Sequence, residues 1–405
     1  VHGGLRYLEH YEFALVRESL KERAILLDAA PHIVHPQSFV LPHGPGMRPA
    51  WLLRIGLFLY DHLGTRHPRL PASRRVDLRR DALGQPLVPG FGTGFTYADC
   101  TVDDSRLVVL NALDAHTRGA TIAPYTRLMH ARRDGALWHA VLRDMRTGGE
   151  RTVHARAMAN VAGPWARAVI DDLEGVQTTK AVRLVKGSHI VVPRLYNGDQ
   201  AYILQSDDGR VVFVIPYERD FTLIGTTEVE LDAPPPPGPT GVACSDAETA
   251  YLCGVVNRYF TAHIAPEDVA WSFAGVRPLF QEKSQTHGGS ASAATREYAF
   301  EYSAPEKQAP LLSVFGGKLT TYRRLAERAV DRLCSAFPNA GPAWTAHAPL
   351  PGGDLPPDFA DALRRDYPDI DPLVLHGLIA RHGTRARTIL GPANTTDALG
   401  AHFGH

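Results

Sequence analysis

The chain is organised around the segment Leu311-Leu312-Ser313-Val314-Phe315-Gly316-Gly317-Lys318-Leu319-Thr320-Thr321-Tyr322-Arg323. Its pattern predicts a short apolar strand, a pair of glycines, a lysine and then a helix. The helix is predicted because apolar residues recur at three- and four-residue spacing: Leu319, Tyr322, Ala326, Ala329, Val330 and Leu333. Thr320 or Thr321 is expected near its N-cap, since hydroxyl side chains accept hydrogen bonds from the first free N–H groups of a helix.

The turn at Gly316 and Gly317 is a candidate binding point. A strand that enters a helix through two glycines brings bare backbone N–H groups and the positive end of a helix dipole together. Lys318 adds a full positive charge at the same place. Such a point suits a phosphate or the electron-rich N1–C2=O edge of a reduced flavin, although an ordinary strand-to-helix turn has the same local pattern.

The bulk composition bounds the class of protein. A length of 405 residues suits two or three domains, and 44% apolar residues are enough for sizeable cores. Lys plus Arg and Asp plus Glu both number 43, and this balance argues against a nucleic-acid binder. The 4 cysteines form no CxxC pair and the 19 histidines have no ligand spacing, so we predict no metal site and a reducing compartment.

The most apolar stretch runs from Trp51 to Leu63. It is too short to span a membrane and contains Arg54 and Asp61. A helical patch recurs within it at Leu52, Ile55, Leu59 and Leu63. We interpret this patch as a core face, with a helix lying at a membrane surface as the alternative.

The rest of the chain alternates between helical and strand patterns. Helices are predicted at 13–27, at 104–118 with Asp103 as N-cap, at 246–260, at 359–365 and at 373–382. Strands are predicted at 127–133, 136–143, 152–161, 188–192, 201–204, 211–215, 221–225 and 271–278. The segment 234–239 reads as a stiff linker, and 288–294 as a mobile loop.

Several motifs together resemble the FAD-dependent, respiratory glycerol-3-phosphate dehydrogenases along essentially the whole chain. They are His2-Gly3-Gly4-Leu5-Arg6-Tyr7-Leu8-Glu9, 160–165, Lys186-Gly187-Ser188-His189, Gly225-Thr226-Thr227, Gly275-Val276-Arg277-Pro278 and 315–322. The resemblance implies an α/β, D-amino-acid-oxidase-like FAD-binding fold. An antiparallel β substrate domain and a partial helical C-terminal domain are expected beside it.

The resemblance also implies a division into domains. We expect an FAD-binding domain at 1–30, 100–170 and 305–338, a substrate domain at 31–99 and 171–304, and a helical domain at 342–405. The family's GxGxxG turn, which holds the FAD pyrophosphate at a helix N-terminus, does not precede His2. We therefore expect a dinucleotide-binding domain that lacks its first element, a chain truncated at both ends, and weakened FAD binding.

The implied reaction is the oxidation of sn-glycerol 3-phosphate to dihydroxyacetone phosphate, by hydride transfer to FAD, with electrons passed to quinone. The implied location is the inner face of the cytoplasmic membrane, with peripheral attachment, and a homodimer is compatible with the resemblance. Three alternatives stay open. They are an oxidase that uses oxygen, an inert fragment without the pyrophosphate site, and an amine-oxidising relative, which the candidate phosphate arginines disfavour.

Each candidate site residue has a chemical reason. His189 is the candidate base, because imidazole titrates near neutral pH; the alternative is a histidine hydrogen-bonded within the sheet. Arg277, Arg296 and Arg6 offer permanently charged forked donors for a phosphate, although a strand-end arginine such as Arg277 also suits a surface salt bridge. Lys318 would stabilise negative charge on the reduced flavin.

Tyr7 is expected to contact substrate or flavin, unless it is a half-buried core aromatic. The resemblance places the remaining candidates against FAD: Gly3, Gly4, Gly163, Gly316, Gly317, Lys318, Leu319 and Thr320.

Overall fold

The structure is a computed structural model that describes residues 1–236, 241–281 and 298–401, without the side chains of Arg6, His10 and Gln281. Arg296, the loop predicted at 288–294 and the end of the linker predicted at 234–239 lie outside the described residues. No helix in the described part of the chain combines the length and apolar character needed to cross a membrane.

The helices of the described residues match most of the predicted ones. They are α1 (Phe13–Ala29), α2 (Ala50–His62), α3 (Asp104–Thr117), α4 (Ala166–Asp171), α5 (Asp246–Asn257), α6 (Tyr322–Cys334), α7 (Phe359–Asp366), α8 (Pro372–His382) and α9 (Ala386–Leu390). Asp103 caps α3 as predicted, because its carboxylate accepts a hydrogen bond from the N–H of Arg106.

The strands confirm the predicted β-rich centre. They are β1 (Val34–His43), β2 (Arg74–Asp77), β3 (Thr93–Val102), β4 (Thr126–Asp134), β5 (Leu137–Asp144), β6 (Glu150–Ala155), β7 (Met158–Asn160), β8 (Ala181–Pro193), β9 (Ala201–Gln205), β10 (Val211–Tyr217), β11 (Phe221–Gly225), β12 (Val229–Leu231), β13 (Trp271–Gln281), β14 (Ala299–Ser303) and β15 (Leu311–Phe315). The single strand predicted at 152–161 is wrong. It is two strands, because β6 pairs with β5 whereas β7 pairs in parallel with β15.

A nine-stranded sheet forms the middle of the protein, with the order β12-β8-β11-β10-β9-β1-β3-β2 and β13 paired to β8. Successive side chains of a strand point to opposite faces, so the sheet has two different surfaces. One face packs on α5 through Ile190, Tyr202 and Val214. We refer to the opposite face, which carries Phe39 and Ile203, as the front face.

The N-terminal segment at His2 and the turn that precedes α6 contact each other. The N–H of His2 donates to Thr320 Oγ1 at 3.1 Å, and that hydroxyl donates to the carbonyl of His2 at 3.1 Å. Arg323 forms a buried ion pair with Glu22 of α1, with contacts of 2.8 and 2.7 Å. Thr321 occupies the N-cap position of α6, but its side chain makes no capping hydrogen bond. Thr320 therefore joins the segment at His2 to the turn before α6 instead of capping the helix.

Helix α2 buries only part of the face that we predicted, since Leu63 packs against an apolar cluster. Leu52 and Ile55 are exposed, and so are Trp51 and Phe58 of the same helix, while its two buried residues are Leu57 and Tyr60. The periodicity correctly predicted a helix. The interpretation of Leu52 and Ile55 as core was wrong, because the core contact is made by a neighbouring stripe of the same helix.

His32 lies in the turn between α1 and β1, just after the end of α1, where Leu350 and Gly353 pack on Ala29. It is 2% exposed, and neither ring nitrogen has a hydrogen-bond partner among the described residues. Burial, with smaller contributions from the charges of His35, His382 and Arg106, lowers the pKa of His32 to about 4, and Asp354 partly opposes them. His32 is therefore neutral in the folded protein at neutral pH.

Acidification is expected to destabilise the protein through His32. The unfolded chain takes up a proton at this imidazole below its ordinary pKa of 6.5, but the folded chain does so only near pH 4, so stability falls across that window. The loss is roughly 2–3 kcal/mol. His32→Leu should flatten the pH dependence of the urea-unfolding free energy between pH 7 and 5. His116→Leu, at an exposed histidine, should not, and equal slopes for His32→Leu and wild type would contradict the assignment.

Candidate active site

His189 lies on the front face of the large sheet. It belongs to β8 and lies directly opposite Gly225 of β11 on one side and Phe273 of β13 on the other. Gly225 in turn lies opposite Phe213 of β10. Side chains of directly opposed residues share one face. Phe213 packs in the same apolar cluster as Tyr7. The structure therefore places His189 and the start of the chain on the same side of one sheet.

The environment of His189 favours a neutral imidazole. Its ring stacks on Phe273, with centroids 4.9 Å apart and planes 10° apart. It also fills the space of the missing side chain at Gly225, where a Cβ would come within 2.1 Å of the ring. Burial, together with a smaller contribution from the guanidinium of Arg277, lowers the pKa of His189 to about 4.

The predicted alternative for His189 was a histidine hydrogen-bonded within the sheet. Its Nδ1 is buried and has no hydrogen-bond partner among the residues that the structure describes. The sheet therefore holds this imidazole by stacking and leaves Nδ1 without a bond to neighbouring strands.

Arg277 lies on β13, four residues along the strand from Phe273, so its side chain is on the same face of the sheet as His189. Its guanidinium crosses over Gly187, where a Cβ would come within 2.8 Å of Nη2. Nη2 donates to Thr226 Oγ1 at 3.1 Å, and Nη1 is 3.8 Å from a carboxylate oxygen of Glu228. The side chain is 35% exposed, so the guanidinium is oriented by neighbours and still reaches solvent. This combination suits an anion-binding arginine.

Lys318 lies beyond the glycine turn at the end of β15. Gly316 and Gly317 have φ angles of 80° and 112°, which L side chains rarely adopt, so this turn requires glycine. The Nζ of Lys318 is 3.8 Å from the centroid of the Tyr7 ring. The turn thus places the buried ammonium group of Lys318 against Tyr7, in the segment that begins at His2.

The N-terminal glycines are packed against protein atoms. A Cβ at Gly3 would come within 2.3 Å of Leu20 and 2.5 Å of the Tyr60 hydroxyl, and a Cβ at Gly4 would come within 2.1 Å of the Tyr7 ring. Tyr7 itself is 7% exposed and belongs to an apolar cluster, as its structural alternative predicted. These glycines therefore fix the local path of the chain around Tyr7.

A buried charge network, which we did not predict from the sequence, holds the N-terminal segment at Gly3. Asp99 accepts a hydrogen bond from the N–H of Gly3 at 3.1 Å and forms an ion pair with Arg23 at 2.6 Å. The Tyr60 hydroxyl reaches both oxygens of the same carboxylate, at 2.7 and 2.8 Å. Charged residues inside apolar runs of β3 and α1 are the sequence signal that could have found it, because buried charges are almost always paired.

The other candidates lie around these groups. Gly163 follows β7 with a φ of 56°, and a Cβ there would meet only Pro278, at 3.9 Å. Leu319 is exposed and Thr320 is buried against His2. The side chain of Arg6 and all of Arg296 are outside the described part of the chain. The structure thus forms one group around His189 and Arg277 and another around Lys318 and Tyr7.

Comparison with known proteins identifies the family of this chain. The profile of the family described as FAD dependent oxidoreductase matches residues 1–323. The chain belongs to this family. Its D-amino-acid-oxidase-like fold and its FAD cofactor, both predicted from the motifs, are confirmed by this match and by solved relatives.

Similar proteins of the FAD dependent oxidoreductase family cover the whole chain. A glycerol-3-phosphate dehydrogenase of Pseudomonas aeruginosa is 50% identical over 408 residues, 100% of this chain and 77% of its own length. A D-erythritol 1-phosphate dehydrogenase of Brucella abortus is 48% identical over 100% of this chain and 79% of its own length. The aerobic glycerol-3-phosphate dehydrogenase of Escherichia coli is 44% identical, with the same two coverages.

A solved structure agrees with these sequence matches. The glycerol-3-phosphate dehydrogenase of Bacillus halodurans, complexed with FAD, superposes with a TM-score of 0.74 and 25% identity, over 93% of this chain and 68% of that one. The domain boundaries predicted from the motifs are not tested by these comparisons and stay a prediction.

The residues of this chain fit the FAD of its family. The turns at Gly163, Gly316 and Gly317 have positive φ angles, and a Cβ at Gly163 would meet no neighbour closer than 3.9 Å. Such bare backbone allows a flat ring or a ribose to approach closely. Lys318 supplies a cation beside the last of these turns, where an electron-rich ring edge would be stabilised.

Proposed function

We propose that this protein oxidises sn-glycerol 3-phosphate to dihydroxyacetone phosphate with FAD and passes the electrons to a quinone. The observation that carries the proposal is that a neutral imidazole, His189, and a partly exposed guanidinium, Arg277, lie on one face of one sheet, with the guanidinium over Gly187. A phosphorylated alcohol needs a base at one end and a forked cation at the other. Relatives named for this substrate at 44–50% identity support the choice.

The chain's own residues have separate tasks in this reaction. Arg277, oriented by Thr226, binds the phosphate, and the two other candidate arginines, Arg6 and Arg296, would add further donors. His189 is neutral at physiological pH, so a ring nitrogen can accept the hydroxyl proton. FAD, when bound, supplies the two-electron acceptor for the carbinol hydrogen. Lys318 places positive charge where electron density increases.

The decisive experiment is anaerobic reduction of the purified FAD-bound protein. Glycerol 3-phosphate should bleach the flavin absorption, while glycerol at the same concentration should do so far more slowly. Re-oxidation by a quinone analogue should be much faster than by oxygen. Fast re-oxidation by oxygen would favour the oxidase alternative, and a chain that neither retains FAD nor turns over would favour the inert fragment.

A second candidate substrate is D-erythritol 1-phosphate, because the relative from Brucella abortus with this name is 48% identical over the whole chain. The two substrates share a phosphate and a secondary alcohol and differ by one carbon unit, so the groups at His189 and Arg277 serve both. The ratio of kcat/KM values for the two compounds separates the assignments. A higher value for the four-carbon substrate would replace glycerol 3-phosphate in the proposal.

Peripheral attachment to the inner face of the cytoplasmic membrane, where the quinone is dissolved, belongs to the same proposal. Trp51, Leu52, Ile55 and Phe58 of α2 are 66, 38, 48 and 52% exposed. An exposed apolar stripe on a helix suits the boundary between headgroups and acyl chains. Association into a homodimer is a further prediction, which sedimentation analysis of the FAD-bound protein tests.

Replacing Trp51 and Phe58 together with glutamate is expected to release the protein from lipid vesicles. Each charge would have to enter the interface in place of an aromatic ring, so we expect at least about a tenfold weaker partition coefficient. Co-sedimentation with vesicles of mixed zwitterionic and anionic lipids measures it. Val108→Glu, at an exposed valine of α3, is the matched control. Equal binding of both variants and wild type would remove α2 as the contact.

A further inference from the structure

Glu248 of α5 lies behind the strands that carry His189 and Arg277. Its carboxylate is buried and accepts hydrogen bonds from several directions. Oε1 accepts from the hydroxyls of Ser188, at 2.8 Å, and Thr227, at 2.7 Å. Oε2 accepts from Lys186 Nζ at 2.7 Å and from the N–H and hydroxyl of Ser245, both at 2.9 Å. Both oxygens of the carboxylate are therefore hydrogen-bonded to neighbouring residues.

Only part of this bonding is needed to cap α5. Ser245 and Glu248 form a capping box, in which the serine accepts from the N–H of Glu248 and the carboxylate accepts from the N–H of Ser245. The bonds from Ser188, Thr227 and Lys186 add nothing to the end of the helix. They connect α5 to β8 and to the turn that contains Thr227.

One of those two segments carries His189, and the other contacts the guanidinium of Arg277. Ser188 immediately precedes His189 on β8, and successive residues of a strand point to opposite faces, so Glu248 holds from the back the strand that carries the base on its front. Thr227 immediately follows Thr226, whose hydroxyl accepts from Arg277. Ser188 and Thr227 are also bonded to each other, since the N–H of Ser188 donates to Thr227 Oγ1 at 2.9 Å.

The carboxylate is ionised when it does this. Desolvation by burial opposes ionisation, but the hydrogen bonds from Lys186, Ser245, Thr227 and Ser188 lower the pKa of Glu248 to about 2. Charge-assisted hydrogen bonds are shorter and stronger than neutral ones. A charged acceptor that binds both segments gives a stiffer connection than either hydroxyl could provide alone.

We propose that Glu248 is a positioning residue, which fixes the orientation of the Arg277 guanidinium, and so its spacing from the His189 ring, by tying β8 to the 225–227 turn from the back of the sheet. This inference rests on the proposed function, because the spacing matters only for a substrate that uses both groups. A substrate bound at two points is sensitive to their separation, and a displacement of about 1 Å can reduce the rate about 100-fold. Glu248 itself touches neither group.

The test compares variants that break the connection with a variant that removes the serine hydroxyl of the cap and keeps the bonds from Ser188, Thr227 and Lys186. Thr227→Val and Glu248→Gln should lower kcat/KM for glycerol 3-phosphate by about 10- to 100-fold and weaken competitive inhibition by inorganic phosphate. FAD content should stay unchanged. Ser245→Ala should lower the melting temperature but leave kcat/KM near the wild-type value. Thr227→Val keeps the carboxylate and its lysine, so it remains informative if Glu248→Gln does not fold.

Two results would overturn the proposal in distinguishable ways. If wild type turns over the substrate and Thr227→Val has the wild-type kcat/KM, or if Ser245→Ala changes kcat/KM as much as Thr227→Val, the positioning role is wrong and Glu248 only stabilises the fold. If wild-type protein loaded with FAD shows neither turnover nor perturbation of its flavin spectrum by either phosphorylated alcohol, the proposed function fails and the positioning role fails with it.

Discussion

Replacing Arg277 by leucine is expected to raise KM for glycerol 3-phosphate by one to three orders of magnitude and to leave the weak activity on glycerol nearly unchanged. Removing one partner of a hydrogen-bonded charge pair costs about 2–5 kcal/mol, and every 1.4 kcal/mol is tenfold in affinity. Only the phosphorylated substrate presents the anion that the guanidinium would bind. Steady-state kinetics with both alcohols measure the difference directly.

Two controls make this prediction specific. Arg277→Lys keeps the charge and loses the forked donors, so we expect a KM between those of wild type and Arg277→Leu. Arg143→Leu removes an arginine of β5 that is paired with Glu150 on the surface, and should change neither KM. If Arg277→Leu affected glycerol and glycerol 3-phosphate equally, Arg277 would be a structural residue of the sheet and not a phosphate ligand.

Local chemistry made much of the fold predictable. The hairpin between β4 and β5 follows from Asp134-Gly135, and the glycine takes a φ of 55° in the turn. The strand, glycine pair and helix between Leu311 and Cys334 were predicted for the same reason, since each signal lies within a few residues of the element that it determines. The candidate roles of His189 and Arg277 also came from local information, namely the chemistry of their side chains.

Which residues meet across the sheet was not predictable in this way. Period-2 alternation shows that Ser188 and His189 point to opposite faces, but not that Phe273 lies opposite His189, because strand register depends on partners far away in sequence. The exposed stripe of α2 shows the same limit. Periodicity groups Leu52 with Ile55, and only the tertiary packing decides whether that group or Leu57 meets the core.

Asp99 shows how large the effect of an overlooked residue can be. Asp99→Ala is expected to destabilise the protein by about 3–5 kcal/mol, because it leaves the charge of Arg23 buried without its carboxylate. It also removes the acceptor of the Gly3 N–H and of Tyr60. Burial raises the pKa of Tyr60 well above its usual value, so its hydroxyl stays protonated and needs an acceptor. Chemical denaturation of the FAD-bound protein measures the loss.

The same variant distinguishes a structural network from one that also supports the cofactor site. Asp114→Ala breaks an aspartate–arginine pair of similar length, 2.9 Å, on the surface of α3, and should cost less than about 1 kcal/mol. Asp99 holds Gly3, and the same short segment carries His2 onto Thr320 and Tyr7 under Lys318. Asp99→Ala should therefore lose FAD at denaturant concentrations where its secondary structure persists. Simultaneous loss of both would show that the network stabilises the fold as a whole, because the N-terminal segment would then have no separate effect on the cofactor.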